Sequence, residues 1–310
     1  MDISERKESF LESVMQTISD RKIAEKIYNT IVKFEDRIGK RIEEMSTDEL
    51  ARAMMASNVT RNTTSNTFLV YLYKYEKWCN DNGIEFLPDL SQVKYDHTAA
   101  IREKMVASPQ DLQERMDRVF EKQELKTSHC LYRAFLWLLW SGIEDEDIVN
   151  VRTSDVDLAV PCVYVDGMPY KVPMESFQSL YVCATASSFH VVHPIHSNVS
   201  RPRVNGDQLL RGVASNTNKR YLTNRISDLS AKAGVTLNPN NIYRSGVFYR
   251  MYQWEKETGS LDLTQYVQDK ATNNPRFYEL DARTQNKIFH SIKSQVLKDY
   301  KNWKSALDIS

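Results

Sequence analysis

Glycine, proline and cysteine are scarce in this chain of 310 residues, which contains nine Gly, nine Pro and four Cys. So few Gly and Pro exclude a collagen-like or low-complexity protein. The four Cys form neither a CxxC pair nor a dense framework, which excludes a small disulfide-stapled domain. The longest apolar run, residues 134–140, is far shorter than a membrane span, and the N-terminus MDISERKESF has no apolar signal core. We therefore expect a cytoplasmic protein of about two domains that makes no membrane contact.

The net charge is zero, because 41 Lys and Arg residues balance 41 Asp and Glu residues. The charges are nevertheless unevenly spread along the chain. Residues 201–250 carry nine basic and two acidic side chains, whereas residues 141–160 carry one basic and six acidic side chains. Phosphate binding needs only a local basic surface. The positive segment leaves two interpretations open, a DNA-binding surface and an ordinary solvated surface.

Apolar residues recur at helical spacing through much of the first hundred residues. They predict three helices, at residues 20–39, 63–80 and 96–106. Short hydroxyl side chains suit a helix N-cap because they accept hydrogen bonds from free backbone N–H groups. Thr60, Thr63 and Thr64 are therefore the candidate caps of the second helix. Gly83 lies just past its end, where a left-handed residue commonly closes a helix.

The pattern changes near residue 108 from all-helical to mixed. Ser108-Pro109 has the features of a helix start, with Pro at the first helical position, and it predicts a domain boundary near 107–109. Residues 129–140, HCLYRAFLWLLW, are apolar nearly all round and predict a buried core helix.

Residues 160–184 are rich in β-branched and aromatic side chains, which favour strands. Asp166-Gly167 within this segment is a hairpin turn signal. The segment therefore predicts a small sheet, and residues 205–310 return to helical patterns. The expected fold class is mainly α with a small β-sheet.

Near the C-terminus, residues 284–307 predict a long amphipathic helix. Its apolar residues follow one another at steps of three or four, at Ile288, Ile292, Val296, Tyr300 and Trp303. A stripe of this length needs a partner surface. Two partners stay open, the helix's own domain in cis and a second copy of the chain in trans. Docking in trans would give self-association through this helix.

Three histidines in HVVHPIH are the candidate for a metal site, at His190, His193 and His196. No Cys accompanies them at zinc-ligand spacing, and Pro194 interrupts any helix that could align them on one face. We therefore predict no metal and no cofactor.

Four further segments occur in an informative order. TRNTTSNTFLVYLYKYEKWCNDNGI is a Ser/Thr-rich turn followed by an aromatic-rich helix and a Gly. LYRAFLWLLWSGIEDEDIVNVRTSDVDL follows the spacing LLxxTGLRxSELxxLxxxDID. NIYRSGVFY and QDKATNNPRFY fall where the boxes HxLRHxxxT and GHxxxxTTxxY would stand. Together these segments resemble the tyrosine recombinases, also called phage integrases.

The resemblance implies a two-domain tyrosine-recombinase-like fold. A helical core-binding (SAM-like) domain would span residues 1–107, and a mixed α/β catalytic-like domain would span residues 108–310, with 284–307 as its C-terminal helix. It also implies double-stranded DNA as the partner, because the two domains of these recombinases close around a duplex.

The resemblance also assigns six active-site positions. In chain order they are occupied by Glu144, Lys171, Asn241, Arg244, Asp269 and Tyr278. Lys171, Arg244 and Tyr278 match the family's hairpin lysine, box arginine and nucleophilic tyrosine. Glu144 replaces the family's first arginine, Asn241 the first residue of the box, and Asp269 the usual His or Trp.

These replacements affect the chemistry directly. In the family, the tyrosine hydroxyl attacks a DNA phosphodiester while two arginines clamp its non-bridging oxygens. A carboxylate within ~4 Å of that phosphate would repel it by roughly 4 kcal/mol at an effective dielectric constant of 20. Glu144 and Asp269 bring two such groups. We therefore predict that the protein is not an enzyme and that these positions are vestigial.

Candidate DNA contacts fall into three groups. They are Arg61, Thr63, Thr64 and Ser65 at a helix start, Lys219, Arg220, Tyr221, Asn224 and Arg225 in TNKRYLTNRIS, and Lys171 and Arg244 from the active-site positions. A helix start offers N–H groups and hydroxyls to phosphates, and a basic helix face can contact base edges. Simple N-capping and a solvated helix surface are the open alternatives.

The sequence therefore predicts a sequence-specific DNA-binding transcriptional regulator, a prophage repressor of lytic genes on an inactive integrase fold. It would maintain lysogeny at the nucleoid of a bacterial host. Two alternatives stay open. One is a divergent active recombinase that uses Tyr278 as nucleophile with Arg244 and Lys171, and the other is an accessory protein that binds a recombinase.

Overall fold

The computed structural model describes residues 3–14, 18–56, 60–120, 127–191, 199–213, 217–272 and 277–309. The chain forms two compact units, Met1–Ile101 and Arg102–Ser310. Each unit contains its own cluster of buried apolar side chains. The division falls inside a helix, His97–Lys104, a few residues before the segment 107–109 where the sequence predicts a boundary.

The first unit is built of helices. Their bounds are α1 (Ile3–Val14), α2 (Ile18–Ile38), α3 (Thr47–Met55) and α4 (Asn62–Asp81), followed by α5 (His97–Lys104). Ser46 begins α3 with a reciprocal capping box, in which its hydroxyl accepts from the Glu49 N–H and the Glu49 carboxylate accepts from the Ser46 N–H. Helices predicted from periodicity are therefore present at all three expected places.

Helix α4 lies at the centre of the first core. Tyr75 stacks on Trp78 with ring centroids 5.4 Å apart, and Phe10 of α1 meets Tyr75 edge-on at 5.1 Å. The predicted threonine caps of α4 are wrong: the helix begins at Asn62, so the capping position falls on Arg61, which makes no side-chain cap. Gly83, with φ of +68°, follows the end of α4 as predicted.

The second unit is mainly helical with two small antiparallel sheets, which confirms the predicted fold class. Its helices are α6 (Pro109–Val119), α7 (Cys130–Trp140), α8 (Asp145–Ile148), α9 (Phe177–Thr185), α10 (Lys219–Ala233), α11 (Pro239–Thr258), α12 (Thr264–Thr272) and α13 (Ala282–Ala306). Its strands are β1 (Val156–Asp157), β2 (Cys162–Val165), β3 (Met168–Lys171), β4 (Ser188–Val191) and β5 (Val199–Pro202). Across the described part of the chain, no helix is both long enough and apolar enough to span a membrane.

Helix α7 is the buried core helix that its composition predicts, because every one of its residues is buried. Helix α11 packs closely on its C-terminal end. A Cβ at Gly246 would collide with the carbonyl of Trp140, and Arg250 donates a hydrogen bond to the same carbonyl. This close approach fixes α11 against the turn at Gly142, which leads to the first active-site position.

The hairpin signal at Asp166-Gly167 is confirmed. Strands β2 and β3 pair from Cys162 with Lys171 to Val165 with Met168, and the two turn residues have φ of 49° and 79°. Both values are positive, as a two-residue type I′ turn requires.

The strand tendency of residues 177–184 is overruled, because this segment forms helix α9. Its buried residues Ser179, Leu180 and Cys183 are spaced for one helix face, and that face packs on the apolar helix α7. Composition alone is a weak guide to strands, since packing decides between the two states.

Helix α13 packs on its own unit. Phe248 of α11 contacts Tyr300 and Trp303, with ring centroids 6.1 and 5.9 Å apart. The indole of Trp303 donates to the Val106 carbonyl at 3.1 Å, and the Tyr300 hydroxyl donates to Glu255 at 2.6 Å. The C-terminal half of the predicted stripe is therefore buried in cis, and self-association through α13 stays a prediction.

Candidate nucleic-acid interface

The start of α4 carries the first group of candidate DNA contacts. Arg61 and Thr64 are exposed, and the Arg61 carbonyl accepts hydrogen bonds from the backbone N–H groups of Thr64 and Ser65. Ser65 is only 2% exposed, and its hydroxyl lies 3.1 Å from Nε2 of His97. Its side chain therefore faces the interior of the first unit, away from any phosphate. The side chain of Thr63 lies outside the described residues.

Helix α10 presents the second group on one exposed surface. Asn218 caps its start by accepting from the Tyr221 N–H, and Gly234 closes its end in the left-handed conformation. Leu222 and Ile226 are buried and hold the helix on the core. The outward side carries exposed residues that include Ser227, Asp228 and four residues hereafter called the α10 face: Arg220, Tyr221, Asn224 and Arg225.

Lys219, at the first position of α10, is distinct from the α10 face. Its ammonium lies 2.8 Å from Asp145 and 2.6 Å from Glu146 at the start of α8. Hydrogen bonds to these two carboxylates raise the pKa of Lys219. Its charge is thus balanced within the protein, and the segment of six acidic residues seen in the sequence lies next to the basic one.

Tyr132 of α7 lies beneath the α10 face. Its hydroxyl is 3.4 Å from the Tyr221 hydroxyl and also hydrogen-bonds Arg225. Burial and the neighbouring Tyr221 hydroxyl raise the pKa of Tyr132 to about 12, although Arg225 acts to lower it. The bond to Tyr132 raises the pKa of Arg225, so the guanidinium is held in its charged form.

Glu144, at the position of the family's first arginine, forms an ion pair with Lys270 of α12. The Lys270 ammonium donates to its carboxylate at 2.9 Å, and the Tyr243 hydroxyl donates to the same oxygen at 3.5 Å. The ammonium also lies 5.3 Å from the centre of the Tyr243 ring. Burial acts to lower the pKa of Lys270, but the bond to Glu144 and the neighbouring Tyr243 outweigh it, and the pKa is raised.

Arg244, at the matching box-arginine position, is also paired internally. Its guanidinium lies 3.3 Å from the buried carboxylate of Asp299 on α13 and 5.7 Å from the ring centre of Phe248. Asp299 accepts a second hydrogen bond from Gln295 at 2.8 Å. Glu144, Lys270, Arg244 and Asp299 are hereafter the paired cluster.

The other active-site positions differ in exposure. Asn241 is 3% exposed, and its backbone N–H donates to the cap residue Asn238. Lys171 is exposed on β3, and Asp269 is exposed on α12. Tyr278 is 74% exposed in a short 3₁₀ turn, with its ring edge-on to Phe277 at 5.6 Å.

The hairpin and the acidic positions do come together. Burial raises the pKa of Tyr170, the neighbour of Lys171, and the negative charges of Asp147, Glu144 and Asp269 add to this shift. Strand β3 therefore lies near these carboxylates, while the Arg250 guanidinium acts on Tyr170 in the opposite sense.

Sequence reasoning missed Lys270, Asp299 and Tyr132. Lys270 adjoins Asp269 in the segment QDKATNNPRFY, but nothing in the sequence indicates that it pairs with Glu144. Asp299 lies on the helix that the apolar stripe identifies, and Tyr132 lies inside an apolar run that indicates only core.

Of the three histidines, His190 is exposed on β4, whereas His193 and His196 lie outside the described residues. The described residues contain no group of His, Cys, Asp and Glu that could hold a metal ion.

A comparison with known protein families gives a match within the first unit. Residues 3–81 match the family model described as MrpR, N-terminal core-binding domain, which covers α1 to α4. This match supports the core-binding domain that the sequence resemblance implies. The two-unit, mainly helical architecture agrees with a recombinase-like fold.

Two solved structures are similar to the chain at low identity. The XerA recombinase is 14% identical with a TM-score of 0.37, over 94% of this chain and 98% of that one. An integrase from mycobacterium phage Brujita is 13% identical with a TM-score of 0.30, over 78% of this chain and 75% of that one. No curated protein matches the chain.

Proposed function

We propose that this protein is a sequence-specific DNA-binding transcriptional regulator that does not cleave DNA. Its role would be that of a repressor of lytic genes in a bacterial prophage, of the kind encoded by SPβ-type prophages. The observation that carries the proposal is the contrast in charge pairing. Arg244 at the box-arginine position and Lys270 next to Asp269 are paired with carboxylates, while the α10 face leaves two arginines exposed.

The paired cluster argues against strand cleavage. Phosphoryl transfer by a tyrosine needs two arginine forks that meet the non-bridging oxygens as negative charge builds up. Here Glu144 stands at one of these places and binds Lys270, and Arg244 faces Asp299. A phosphate would have to displace a carboxylate at each place before either cation could bind it.

The α10 face has the residue types that read base edges. Arg220 and Asn224 are four residues apart and therefore lie on the same side of the helix. In the major groove, Arg forms bidentate hydrogen bonds with guanine, and Asn forms them with adenine. A helix with both on one face suits direct reading of a short sequence.

The proposal is tested by selecting duplexes from a random-sequence library with the full-length protein. We expect enrichment of one sequence, protection of it in footprinting, and repression of a reporter gene placed behind it. Recovery of an unenriched library would contradict sequence-specific regulation.

The exposure of Tyr278 favours a second candidate, a divergent recombinase. Tyr278 is 74% exposed, so its side chain is accessible to a phosphodiester. A nicked duplex that traps a covalent protein–DNA adduct distinguishes the candidates, with Tyr278→Phe as the matched control. An adduct formed by the natural protein and absent from the variant would establish the enzyme, and no adduct from either is the expected result.

A further inference from the structure

A chain of hydrogen bonds links the core of the second unit to the α10 face. The Tyr132 hydroxyl on α7 lies 3.4 Å from the hydroxyl of Tyr221 and also bonds the guanidinium of Arg225. Tyr221 and Arg225 are one helical turn apart on α10. Leu222 and Ile226 are buried and hold the helix on the core. The polar contacts with Tyr132 are therefore not needed to hold the helix, and their effect is to orient the side chains of Tyr221 and Arg225.

The position of the Tyr132 hydroxyl is fixed by its ring. The residue is 6% exposed and packs against Phe120 and His129, with ring centroids 5.8 and 5.7 Å away. A buried ring between two aromatic neighbours has little freedom to swing. Tyr132 therefore offers a rigid anchor to two side chains that would otherwise move freely in solvent.

The hydrogen bonds in this chain have one consistent direction. An arginine can only donate, so the Tyr132 oxygen accepts from Arg225. With its raised pKa, Tyr132 keeps its own proton at neutral pH. Among the residues that the structure describes, the Tyr221 oxygen is the acceptor within reach of that proton, and a buried O–H without an acceptor is unfavourable. Tyr132 therefore donates to Tyr221, whose own hydroxyl hydrogen is left for an outside acceptor.

We propose that Tyr132 is a positioning residue for DNA recognition, which sets the Tyr221 hydroxyl as a hydrogen-bond donor toward duplex DNA and holds Arg225 beside it. This inference rests on the proposed binding of DNA by the α10 face. The acceptor on DNA is a lone-pair oxygen or nitrogen, supplied by a backbone phosphate or by a purine edge in the major groove.

Tyr132→Phe removes the anchoring hydroxyl and keeps the ring that packs on Phe120 and His129. With the tightest duplex recovered from the random library, both Tyr132→Phe and Tyr221→Phe should bind about five-fold more weakly, as expected for one lost hydrogen bond. The double variant should be weakened by much less than the product of the two single effects, because both changes break the same chain. Tyr181→Phe, which removes an exposed hydroxyl from α9, is the matched control and should bind like the natural protein.

Thermal denaturation distinguishes positioning from simple destabilisation, since Tyr132→Phe should shift the midpoint no more than Tyr181→Phe does. Full multiplication of the two single effects would overturn the positioning role. So would an unchanged affinity of Tyr132→Phe on a duplex that the natural protein still selects, and this second result would leave the proposed function intact. Failure of the natural protein to select any duplex would instead overturn the proposed function and this inference together.

The source of the acceptor follows from modified duplexes. A methylphosphonate removes the charge of one phosphate, and a 7-deazapurine removes the N7 acceptor of one base. At one position, one of these changes should abolish the five-fold difference between the natural protein and Tyr221→Phe. Persistence of that difference at every position of the protected site would contradict a direct contact by Tyr221.

Discussion

Two groups of charged side chains in the second unit differ in where their charge is balanced. In the paired cluster, Glu144 binds Lys270 at 2.9 Å and Arg244 faces Asp299 at 3.3 Å. On the α10 face, Arg220 and Arg225 are exposed. Glu144 and Arg244 of the paired cluster stand at two of the positions that the sequence resemblance assigns to the handling of phosphate, and the α10 face lies on a helix outside those positions. Charge that is balanced inside the protein stabilises the fold, while exposed charge is available to a ligand.

The difference follows from what each group must give up to bind a phosphate. A cation of the paired cluster must first lose a carboxylate, and that carboxylate would then stay near the incoming anion. An exposed arginine loses only water and its screening ions. Arg225 is exposed even though Tyr132 interacts with its guanidinium, which has five N–H donors in all. The protein is therefore expected to bind DNA through the α10 face and to use the paired cluster for stability.

The largest expected effect is on stability, from Arg244→Ala. This change takes the guanidinium away from the buried Asp299, which keeps its hydrogen bond from Gln295, and it also removes the contact with Phe248. Breaking a buried ion pair in this way costs about 3 kcal/mol of unfolding free energy. Urea denaturation followed by circular dichroism measures the loss of stability. Affinity for the selected duplex should change less than about three-fold, because Arg244 is expected to lie outside the DNA interface.

Arg244→Ala combined with Asp299→Ala is the matched control, because the double change removes both charges. It should recover part of the stability that the single variant loses. A single variant that unfolds like the natural protein but loses DNA affinity would reverse the comparison, since Arg244 would then belong to the interface.

The next effect is on binding, from Arg220→Ala. Loss of a two-bond contact with a base should weaken affinity for the selected duplex about ten-fold, or about 1.4 kcal/mol, with less effect on random DNA. Lys232→Ala removes the same charge from the last turn of the same helix and serves as the control. Fluorescence anisotropy measures both, and equal losses for the two variants would mean that α10 contributes charge without reading sequence.

The elements that the sequence predicts correctly have local signals. The apolar run of α7, the Asp166-Gly167 turn and the stripe of α13 each need only neighbouring residues to be recognised. The paired cluster has no such signal, because Glu144 and Lys270 are 126 residues apart and Arg244 and Asp299 are 55 apart. Spacing along the chain does not reveal which charges meet in the fold. Helix α9 was not predicted because its local signal is misleading. Its composition favours a strand, whereas the structure forms a helix whose buried face packs on α7.

A smaller effect, with the opposite sign, is expected from Glu144→Gln. The ion pair with Lys270 is partly exposed, so its loss should change the unfolding free energy by less than about 1 kcal/mol. Lys270 becomes available to a phosphate, which should raise DNA affinity and steepen the slope of log affinity against log salt by about 0.9. Titrations at several salt concentrations measure both quantities.

Glu175→Gln is the control for Glu144→Gln, since it changes the net charge equally at an exposed site on another turn. An equal rise in affinity for both variants would show a general charge effect. A rise confined to Glu144→Gln would show that the paired cluster lies close enough to DNA to join the interface once its internal carboxylate is removed.

The smallest effect is expected from Tyr278→Phe. The Tyr278 ring contacts Phe277 edge-on, and this contact survives when the exposed hydroxyl is removed. Unfolding free energy and affinity for the selected duplex should therefore both stay within experimental error, because exposed substitutions away from buried contacts rarely exceed about 0.5 kcal/mol. Repression of a reporter gene should be equally unaffected. A variant that stays folded but no longer represses would show that the exposed hydroxyl of Tyr278 acts on DNA. The α10 face would then not be the sole DNA-binding surface of the second unit, and the contrast with the paired cluster would no longer hold.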